Sequence, residues 1–467
     1  MLRDKSSYVI IFLLVVSFFL HFWGLDYPNS IVFDEVYYGK WSKYYLSGNY
    51  FFDIHPPLGK LILTVGGELT GFTGANYTFG SIGEVFPDNS YYGLRFFPAL
   101  FGSLFPLIIY LVIRSLGGSR KISILGMVLV IFENSMLAQS RIMHIDILTL
   151  FFGFLGLLFY LRARNSPTNR NRLVYLILTG LSIGTTISIK WNGLVFWFIV
   201  LLMGFVSLCK HLSIKSTKLK PIVLFIVCLV IIPMLVYMAS FAIHFSLLPH
   251  SGEGDAFMTQ KFQSTLVNNT NYKPEANVGF LEKLFELNKE MLSANNRITN
   301  PHSYSIKWYE MPAMWRSIYY WNKGDSISMA RIYLIGNPFI WWLVLAAVAF
   351  FVVYIFLRIV KLEFDILEKQ WLKIAILLAY LLNLFTYIFI GRVVFMYHYF
   401  PSLVFGIILL CLLFDSRLTN KKSRGRYVYW AIIGLAIFAF IYFSPLTYGW
   451  QLDENTYRLL TWLPSWV

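Results

Sequence analysis

Eleven segments of this chain are long and apolar enough to cross a bilayer as helices, and they constrain its fold more than any other feature. A membrane's hydrocarbon core is about 30 Å thick, so a helix rising about 1.5 Å per residue needs roughly 20 apolar residues to cross it. Hydrophobic residues make up 57% of the 467 residues, more than a soluble core of this size uses. The sequence therefore predicts an all-α polytopic membrane protein. The predicted spans lie near 7–24, 94–113, 122–139, 147–162, 173–189, 192–208, 221–245, 338–357, 372–390, 397–414 and 427–444.

Lysine and arginine residues are concentrated in alternate loops between these spans. If the N-terminus is cytoplasmic, the inner stretches hold 22 of the 39 basic residues but only 5 of the 24 acidic ones. Cytoplasmic loops retain positive charge, so this pattern predicts an inner N-terminus and an outer C-terminus. The net charge of +15 is thus a topology signal, and we expect no nucleic-acid partner. The inner stretches are the N-terminal tail, 114–121, 162–172, 210–220, 358–373 and 415–426.

Two long outer segments, 25–93 and 246–337, hold most of the polar residues with unusual neighbours. The inner loops are too short for a separate soluble domain, so we predict one transmembrane domain over residues 1–467. Apolar residues at helical spacing between Phe280 and Leu292 predict an amphipathic helix on the membrane surface. The aromatics from Trp308 to Trp321 favour an interfacial belt over a ligand-stacking role.

The three cysteines, Cys209, Cys228 and Cys411, lie in or beside apolar segments. Their spacing matches neither a zinc site nor a disulfide framework. We therefore predict that they are packing residues.

Asp34 and Glu35 follow the first predicted span directly, and adjacent carboxylates at a membrane face are unusual. Neighbouring side chains on a helix diverge by about 100°, so the two should meet different partners. One could contact a reacting hydroxyl while the other fixes a substrate or a basic side chain. The structural alternative is a pair that favours the helix dipole.

A second polar run, Asp53-Ile54-His55-Pro56-Pro57-Leu58-Gly59-Lys60, follows in the same outer segment. Each proline fixes φ and lacks an N–H, so the backbone after His55 should be rigid. The run predicts a polar loop held against the membrane, which suits the wall of an active site.

Ionisable residues also stand at the outer ends of predicted spans. At such depth they need an ion pair or a polar cavity. Pairing of Asp146 with Arg141 or Lys190 is the structural interpretation, whereas converging cations would suit a lipid phosphate. These residues are Arg95, Glu133, Arg141, Asp146, Lys190 and Arg392.

In this order and combination, the motifs resemble the protein O-mannosyltransferases of the GT-C class. The resemblance covers nearly the whole chain, although Glu133 stands where the family usually has Asp. The second outer segment has no room for the β-trefoil insert of the eukaryotic enzymes, so the chain is more similar to the shorter prokaryotic members. The motifs are Asp34-Glu35, 55–60, Glu133-Asn134, Arg141, Asp146, 188–194, 244–263, 286–291, His302, 392–399 and 445–449.

The resemblance implies transfer of mannose from a polyprenyl or dolichyl phosphate to serine or threonine hydroxyls of proteins, by one inverting displacement at the outer membrane face. It implies Asp34 as the catalytic base. It also implies a prokaryotic plasma membrane. We expect no metal or other cofactor, because basic side chains can neutralise the phosphate. Residues expected to bind the acceptor or shape the substrate pockets are Glu35, His55, Asp146, Tyr397 and His398. Those expected to bind the lipid phosphate are Arg95, Lys190 and Arg392.

Two other functions fit part of the sequence. A GT-C transferase that moves aminoarabinose or another sugar onto a lipid would share the early acidic residue and the spans. A transporter or flippase would explain many spans and buried charge, but transport sites favour the midplane between repeated halves, and no such repeat is evident.

Overall fold

The computed structural model describes residues 5–214, 219–325, 328–419 and 424–466, and most of these are helical. A π-helical stretch, Val227–Ile231, joins α10 to α11. The helices are α1 Lys5–Phe22, α2 Glu35–Ser47, α3 Leu58–Leu69, α4 Tyr92–Ser115, α5 Arg120–Ile131, α6 Asn134–Ser140, α7 Asp146–Arg164, α8 Asn169–Ile189, α9 Leu194–Ile214, α10 Leu219–Ile226, α11 Ile232–Leu247, α12 Gln260–Gln263, α13 Phe280–Arg297, α14 Pro338–Val360, α15 Phe364–Lys369, α16 Trp371–Phe389, α17 Phe400–Thr419, α18 Gly425–Tyr448 and α19 Glu454–Leu460. The strands are β1 Ile318–Gly324, β2 Ser328–Leu334 and β3 Gln451–Asp453.

Within the described ranges, nine helical segments are long and apolar enough to span a membrane, and each matches a predicted span. The chain is thus a multi-pass membrane protein. The third predicted span is a pair of helices, α5 and α6, bent by 59° at their junction. The first predicted span is α1, and its apolar part, Ser7–Phe22, is shorter than the other spans. A count of eleven therefore stays a prediction for these two segments.

Glu133 lies at the break between α5 and α6 and begins the new helix. Its backbone is extended, and one carboxylate oxygen accepts the Met136 N–H at 2.7 Å. The other oxygen accepts the backbone N–H of Asn337 and the indole N–H of Trp341, both at 2.9 Å. This buried carboxylate therefore caps α6 and fixes its start against the beginning of α14.

Helices α7 and α17 form the centre of the bundle. In each, 78% of the most apolar stretch is buried inside the protein, against 22% for α14. The rings of Phe154 on α7 and Phe405 on α17 pack with centroids 4.8 Å apart. The helices at the periphery of the bundle keep apolar side chains exposed, as expected of surfaces that face lipid.

The predicted amphipathic helix is present as α13. It buries Leu284, Leu287 and Met291, while Leu281 and Phe285 are exposed. The stripe of apolar residues is thus split between the protein core and the outside. Its location on the membrane surface stays a prediction.

A small antiparallel sheet, in the order β1-β2-β3, was not predicted from the sequence. It joins the second outer segment to the chain after α18, and it buries Tyr320 and Trp321. The Trp321 indole N–H donates to the Ser30 hydroxyl at 2.8 Å. The expected interfacial belt is therefore wrong for these two residues, although Trp315 is exposed.

The cysteine prediction is confirmed in two of three cases. Cys228 and Cys411 are buried among apolar side chains, but Cys209 is exposed. Cys209 is therefore not a core packing residue. It lies on the surface of α9, which an apolar helix at a lipid boundary can tolerate.

Candidate active site

Asp34 and Glu35 occupy different environments although they are neighbours. Asp34 is the N-cap of α2, and Glu35 is the first residue of that helix. The Asp34 side chain is 28% exposed, whereas that of Glu35 is completely buried. The two carboxylates therefore meet different partners, as their spacing predicts.

Glu35 forms a bidentate ion pair with Arg95 of α4. The distances are 2.7 Å from Nε to Oε1 and 2.8 Å from Nη2 to Oε2. Glu35 also accepts the backbone N–H groups of Val32 and Met143, at 2.9 and 3.0 Å. This carboxylate is saturated with donors and lies inside the protein, so it does not fit the predicted contact with an acceptor peptide.

The remaining N–H groups of Arg95 are also occupied. They donate to the backbone carbonyls of Leu25, Pro28 and Ser30 at 3.0 to 3.2 Å. With no exposed surface, the guanidinium has no donor left for a phosphate. The predicted phosphate role of Arg95 does not fit this geometry, and the structure gives Arg95 the role of fixing the outer loop.

Arg141 is engaged in a similar way at the end of α1. Its guanidinium donates to the carbonyls of Leu20, His21, Trp23 and Gly24 at 2.7 to 3.1 Å. Leu20 and His21 lie in the last turn of α1, where the helix leaves carbonyls without an intrahelical partner. Arg141 therefore caps α1 and does not pair with Asp146.

Asp146, at the start of α7, pairs with Lys190 at the end of α8. Lys190 Nζ lies 2.7 Å from Asp146 Oδ1, and the Tyr397 ring centroid lies 4.9 Å from the same nitrogen. The predicted pairing of Asp146 with Lys190 is confirmed. Apart from this bond, the Lys190 ammonium has no hydrogen-bond partner in the described part of the chain, so two of its three N–H bonds stay available.

His144 connects this pair to Asp34. Its Nδ1 lies 3.0 Å from Asp146 Oδ2, and its Nε2 lies 3.4 Å from Asp34 Oδ2. Burial lowers the pKa of His144, but the carboxylates of Asp146 and Asp34 outweigh it and raise the pKa above its ordinary value. Asp34, His144, Asp146 and Lys190 thus form one continuous chain of polar contacts.

The polar loop after α2 is anchored by Lys60 of α3. This buried ammonium pairs with Asp53 and donates to the carbonyls of His55 and Pro56 at 2.8 and 3.1 Å. The lysine thus holds the backbone carbonyls of His55 and Pro56 and the side chain of Asp53 before them. Together with the two prolines, these contacts restrict the backbone of the loop.

His55 is predicted to line the substrate pocket, and its surroundings keep it neutral. Burial, together with the positive charges of Lys190, Arg392 and Lys60, holds the pKa of His55 well below its usual range. A neutral imidazole can both donate and accept a hydrogen bond. Such a group suits a sugar or peptide hydroxyl.

Arg392 and His398 reach the same region from the segment between α16 and α17. The Arg392 guanidinium donates to the Asn295 side chain and, at 3.3 Å, to the Val393 carbonyl. Among the described residues neither of these partners is a carboxylate, and Arg392 is in no ion pair. His398 packs against the rings of Tyr387 and Tyr397, with centroids 5.3 and 4.6 Å away. The structure therefore gathers Asp34, His55, Asp146, Lys190, Tyr397 and His398 around one site, with Arg392 beside it.

Sequence reasoning missed His144, and it gave no role to Asp53 or Lys60. The spacing His144-Ile145-Asp146 was a signal, because residues two apart in a turn can place both side chains at one site. Asp53 and Lys60 were visible within the run around His55, but the two prolines between them exclude a continuous helix, so a spacing of seven residues does not place them on one face.

Comparison with known proteins agrees with this architecture. The family profile for dolichyl-phosphate-mannose-protein mannosyltransferase matches residues 11–249. A second profile, for the C-terminal four-span region of protein O-mannosyltransferases, matches residues 280–466. The first covers more than half of the chain by itself.

Several curated proteins are similar in sequence. Mannosyltransferase 4 of Schizosaccharomyces pombe is 35% identical over 281 residues, which are 57% of this chain and 35% of that protein. Mannosyltransferase 3 of Saccharomyces cerevisiae is 36% identical over 260 residues, or 54% of this chain and 34% of that protein. The matched region thus spans about a third of the length of these relatives.

Solved structures share the fold. The S. cerevisiae protein O-mannosyltransferase Pmt1-Pmt2 complex bound to the sugar donor matches with a TM-score of 0.91 and 20% identity, over 100% of this chain and 93% of that chain. ArnT from Cupriavidus metallidurans bound to undecaprenyl phosphate matches with a TM-score of 0.50 and 14% identity, over 94% and 71%. The chain belongs to the dolichyl-phosphate-mannose–protein mannosyltransferases, a glycosyltransferase family with the GT-C fold.

Proposed function

We propose that this protein transfers mannose from a polyprenyl or dolichyl phosphate to serine or threonine hydroxyls of an acceptor protein. Family membership supports the substrates, since its relatives are named as dolichyl-phosphate-mannose–protein mannosyltransferases. The observation that carries the proposal is the environment of the Asp34 carboxylate. Four carboxylates lie in this region, those of Asp34, Glu35, Asp53 and Asp146. Asp34 alone has a partly exposed side chain and no lysine or arginine partner among the described residues.

Asp34 is the proposed catalytic base. The acceptor hydroxyl gives its proton to the Asp34 carboxylate while its oxygen forms a bond to the anomeric carbon of mannose. The bond between that carbon and the phosphate oxygen breaks, and the phosphate leaves with the electron pair. A single displacement of this kind inverts the anomeric configuration. A phosphate whose charge is matched needs no separate acid.

Lys190 and Arg392 are the proposed phosphate-binding cations. Each keeps N–H groups without partners in the described part of the chain, in contrast to Arg95. The Asp146 carboxylate and the His144 imidazole lie between Lys190 and the proposed base, Asp34. The leaving phosphate and the attacking hydroxyl would therefore meet beside Asp34. His55, Asp146, Tyr397 and His398 would then shape the sugar and acceptor pockets. Glu35 and Arg95 would position the loop that carries Asp34.

We further propose that this site lies on the outer side of a prokaryotic plasma membrane, with the N-terminus in the cytoplasm. The basic residues of the inner loops support this orientation. The second outer segment contains two helices and a hairpin, and no β-trefoil lies among its described residues. An impermeant thiol reagent applied to intact cells should label Lys273→Cys but not Arg120→Cys.

The test uses the purified full chain in nanodiscs, a labelled mannosyl lipid phosphate and a peptide rich in serine and threonine. Mannose should appear on this peptide and not on a peptide with alanine at every hydroxyl position. Nuclear magnetic resonance of donor and product should show opposite anomeric configurations. Sugar on a lipid would indicate the aminoarabinose type of transferase, and movement without transfer would indicate a flippase. Either result would overturn the proposal.

A further inference from the structure

His144 is buried between two carboxylates of the candidate active site, and the mechanism above gives it no task. It lies in the turn between α6 and α7 and is 1% exposed. Its two ring nitrogens face Asp34 and Asp146, at 3.4 and 3.0 Å. The ring edges of Tyr38 and Tyr397 pack around it, with centroids 5.1 and 5.6 Å away. The imidazole plane is therefore fixed.

On the side of the ring away from Asp34, the Gln139 side chain contacts His144 Nδ1 and favours one position for the ring proton. The Gln139 amide donates from Nε2 to His144 Nδ1 at 2.7 Å, and the Tyr320 hydroxyl donates to Gln139 Oε1. With the amide in this orientation, a neutral His144 accepts at Nδ1 and carries its proton on Nε2. An imidazolium, whose Nδ1–H would face Asp146 Oδ2 at 3.0 Å, carries a proton on Nε2 as well. That nitrogen points towards Asp34.

Among the residues that the structure describes, His144 Nε2 has no hydrogen-bond partner. A buried N–H without a partner is unfavourable, so a nearby acceptor will be bound when it comes within reach. Asp34 Oδ2 is such an acceptor, and hydrogen bonds in active sites are often long until the substrate is bound. A small rotation of the Asp34 side chain would close the 3.4 Å contact.

We propose that His144 is a positioning residue that donates from Nε2 to Oδ2 of Asp34 and so directs Oδ1 to the acceptor hydroxyl. The inference rests on the proposed function, because it needs Asp34 to be the base. His144 forms and breaks no covalent bond, and the hydroxyl proton ends on Asp34.

The charges around His144 also predict a pH dependence. Asp34 faces it from α2 and Asp146 from α7, with Lys190 of α8 behind Asp146 and the hydroxyl groups of Tyr38 and Tyr397 nearby. The two carboxylates raise the pKa of His144 against the effect of burial. Below that pKa a positive imidazolium stands beside Asp34 and opposes transfer of the hydroxyl proton to it. The rate should therefore fall as the pH decreases through the titration of His144.

The test compares His144→Leu and His144→Gln with the unmodified protein in the labelled-mannose assay. Leucine removes the donor, and a lost hydrogen bond to a charged group should lower kcat about 10- to 100-fold. The KM for the lipid donor should stay within about twofold, since the phosphate is bound elsewhere. Glutamine offers an N–H that does not titrate. It should restore part of kcat and move the acidic limb of the pH–rate profile to lower pH.

The outcomes separate the two proposals. If the unmodified protein transfers mannose, equal kcat values for the leucine variant, or coincident acidic limbs for the glutamine variant and the unmodified protein, overturn the role of His144. If the unmodified protein binds the donor but transfers no mannose to peptide, the proposed function itself fails. Should the leucine variant not fold, the glutamine profile decides, because a structural role would not move its acidic limb.

Discussion

Arg95 and Glu35 form a fully buried bidentate ion pair, and every N–H group of the guanidinium is used. Glu35 begins the helix that follows Asp34, so this pair fixes the backbone on which the proposed base stands. Removing one partner of such a pair would leave the other charge buried without compensation.

Arg95→Met should destabilise the folded protein by about 3–5 kcal/mol, because it leaves the Glu35 charge buried without a partner. Thermal unfolding followed by tryptophan fluorescence would measure the loss. The double variant Glu35→Leu with Arg95→Met should recover much of it, since both charges are then gone. An unchanged melting temperature with a raised donor KM would instead restore the phosphate role of Arg95.

Asp34→Asn should abolish most transfer while the protein still folds and binds the lipid donor. Removing a general base typically lowers the rate by about 10²–10⁴-fold. The labelled-mannose assay measures kcat, and Asp26→Asn is a matched control because Asp26 is an exposed carboxylate of the same outer segment. Full activity of the Asp34 variant would refute the base assignment.

Arg392→Gln should weaken donor binding about tenfold or more, because hydrogen bonds to a charged phosphate contribute about 1.5–3 kcal/mol. The effect should appear in the KM for the mannosyl lipid phosphate and not in thermal stability, since Arg392 is in no ion pair among the described residues. Lys273→Gln, at an exposed outer position, should have no effect. Equal donor KM values for the Arg392 variant and this control would exclude the phosphate role.

Lys60→Met should loosen the segment around His55, because it leaves the buried Asp53 unpaired and frees two carbonyls. The cost should be about 3–5 kcal/mol. Hydrogen exchange of the Asp53, Ile54 and His55 amides should become faster, and transfer should decline with it. The control is Lys40→Met, which removes only a partly exposed pair with Glu253 and should change stability by less than about 1 kcal/mol. Unchanged exchange in the Lys60 variant would contradict the anchoring role.

Some of the fold was readable from local sequence. Nine predicted spans are present because crossing a bilayer requires about 20 apolar residues in one stretch, and hydropathy measures this directly. The helix α13 was readable for a similar reason, since its apolar spacing is local. The sheet was not readable, because β3 pairs with a strand more than a hundred residues earlier.

The sequence by itself determined the membrane fold, the likeness to the family, and the divergence of Asp34 and Glu35, which follows from the geometry of one helical turn. Only the tertiary structure decided which cations remain available. Arg95, Lys190 and Arg392 look equivalent in the sequence, but Glu35 lies 60 residues from Arg95 and uses its guanidinium completely. The availability of a charge depends on which groups the fold brings within about 3 Å of it, and neither residue type nor position along the chain fixes that distance.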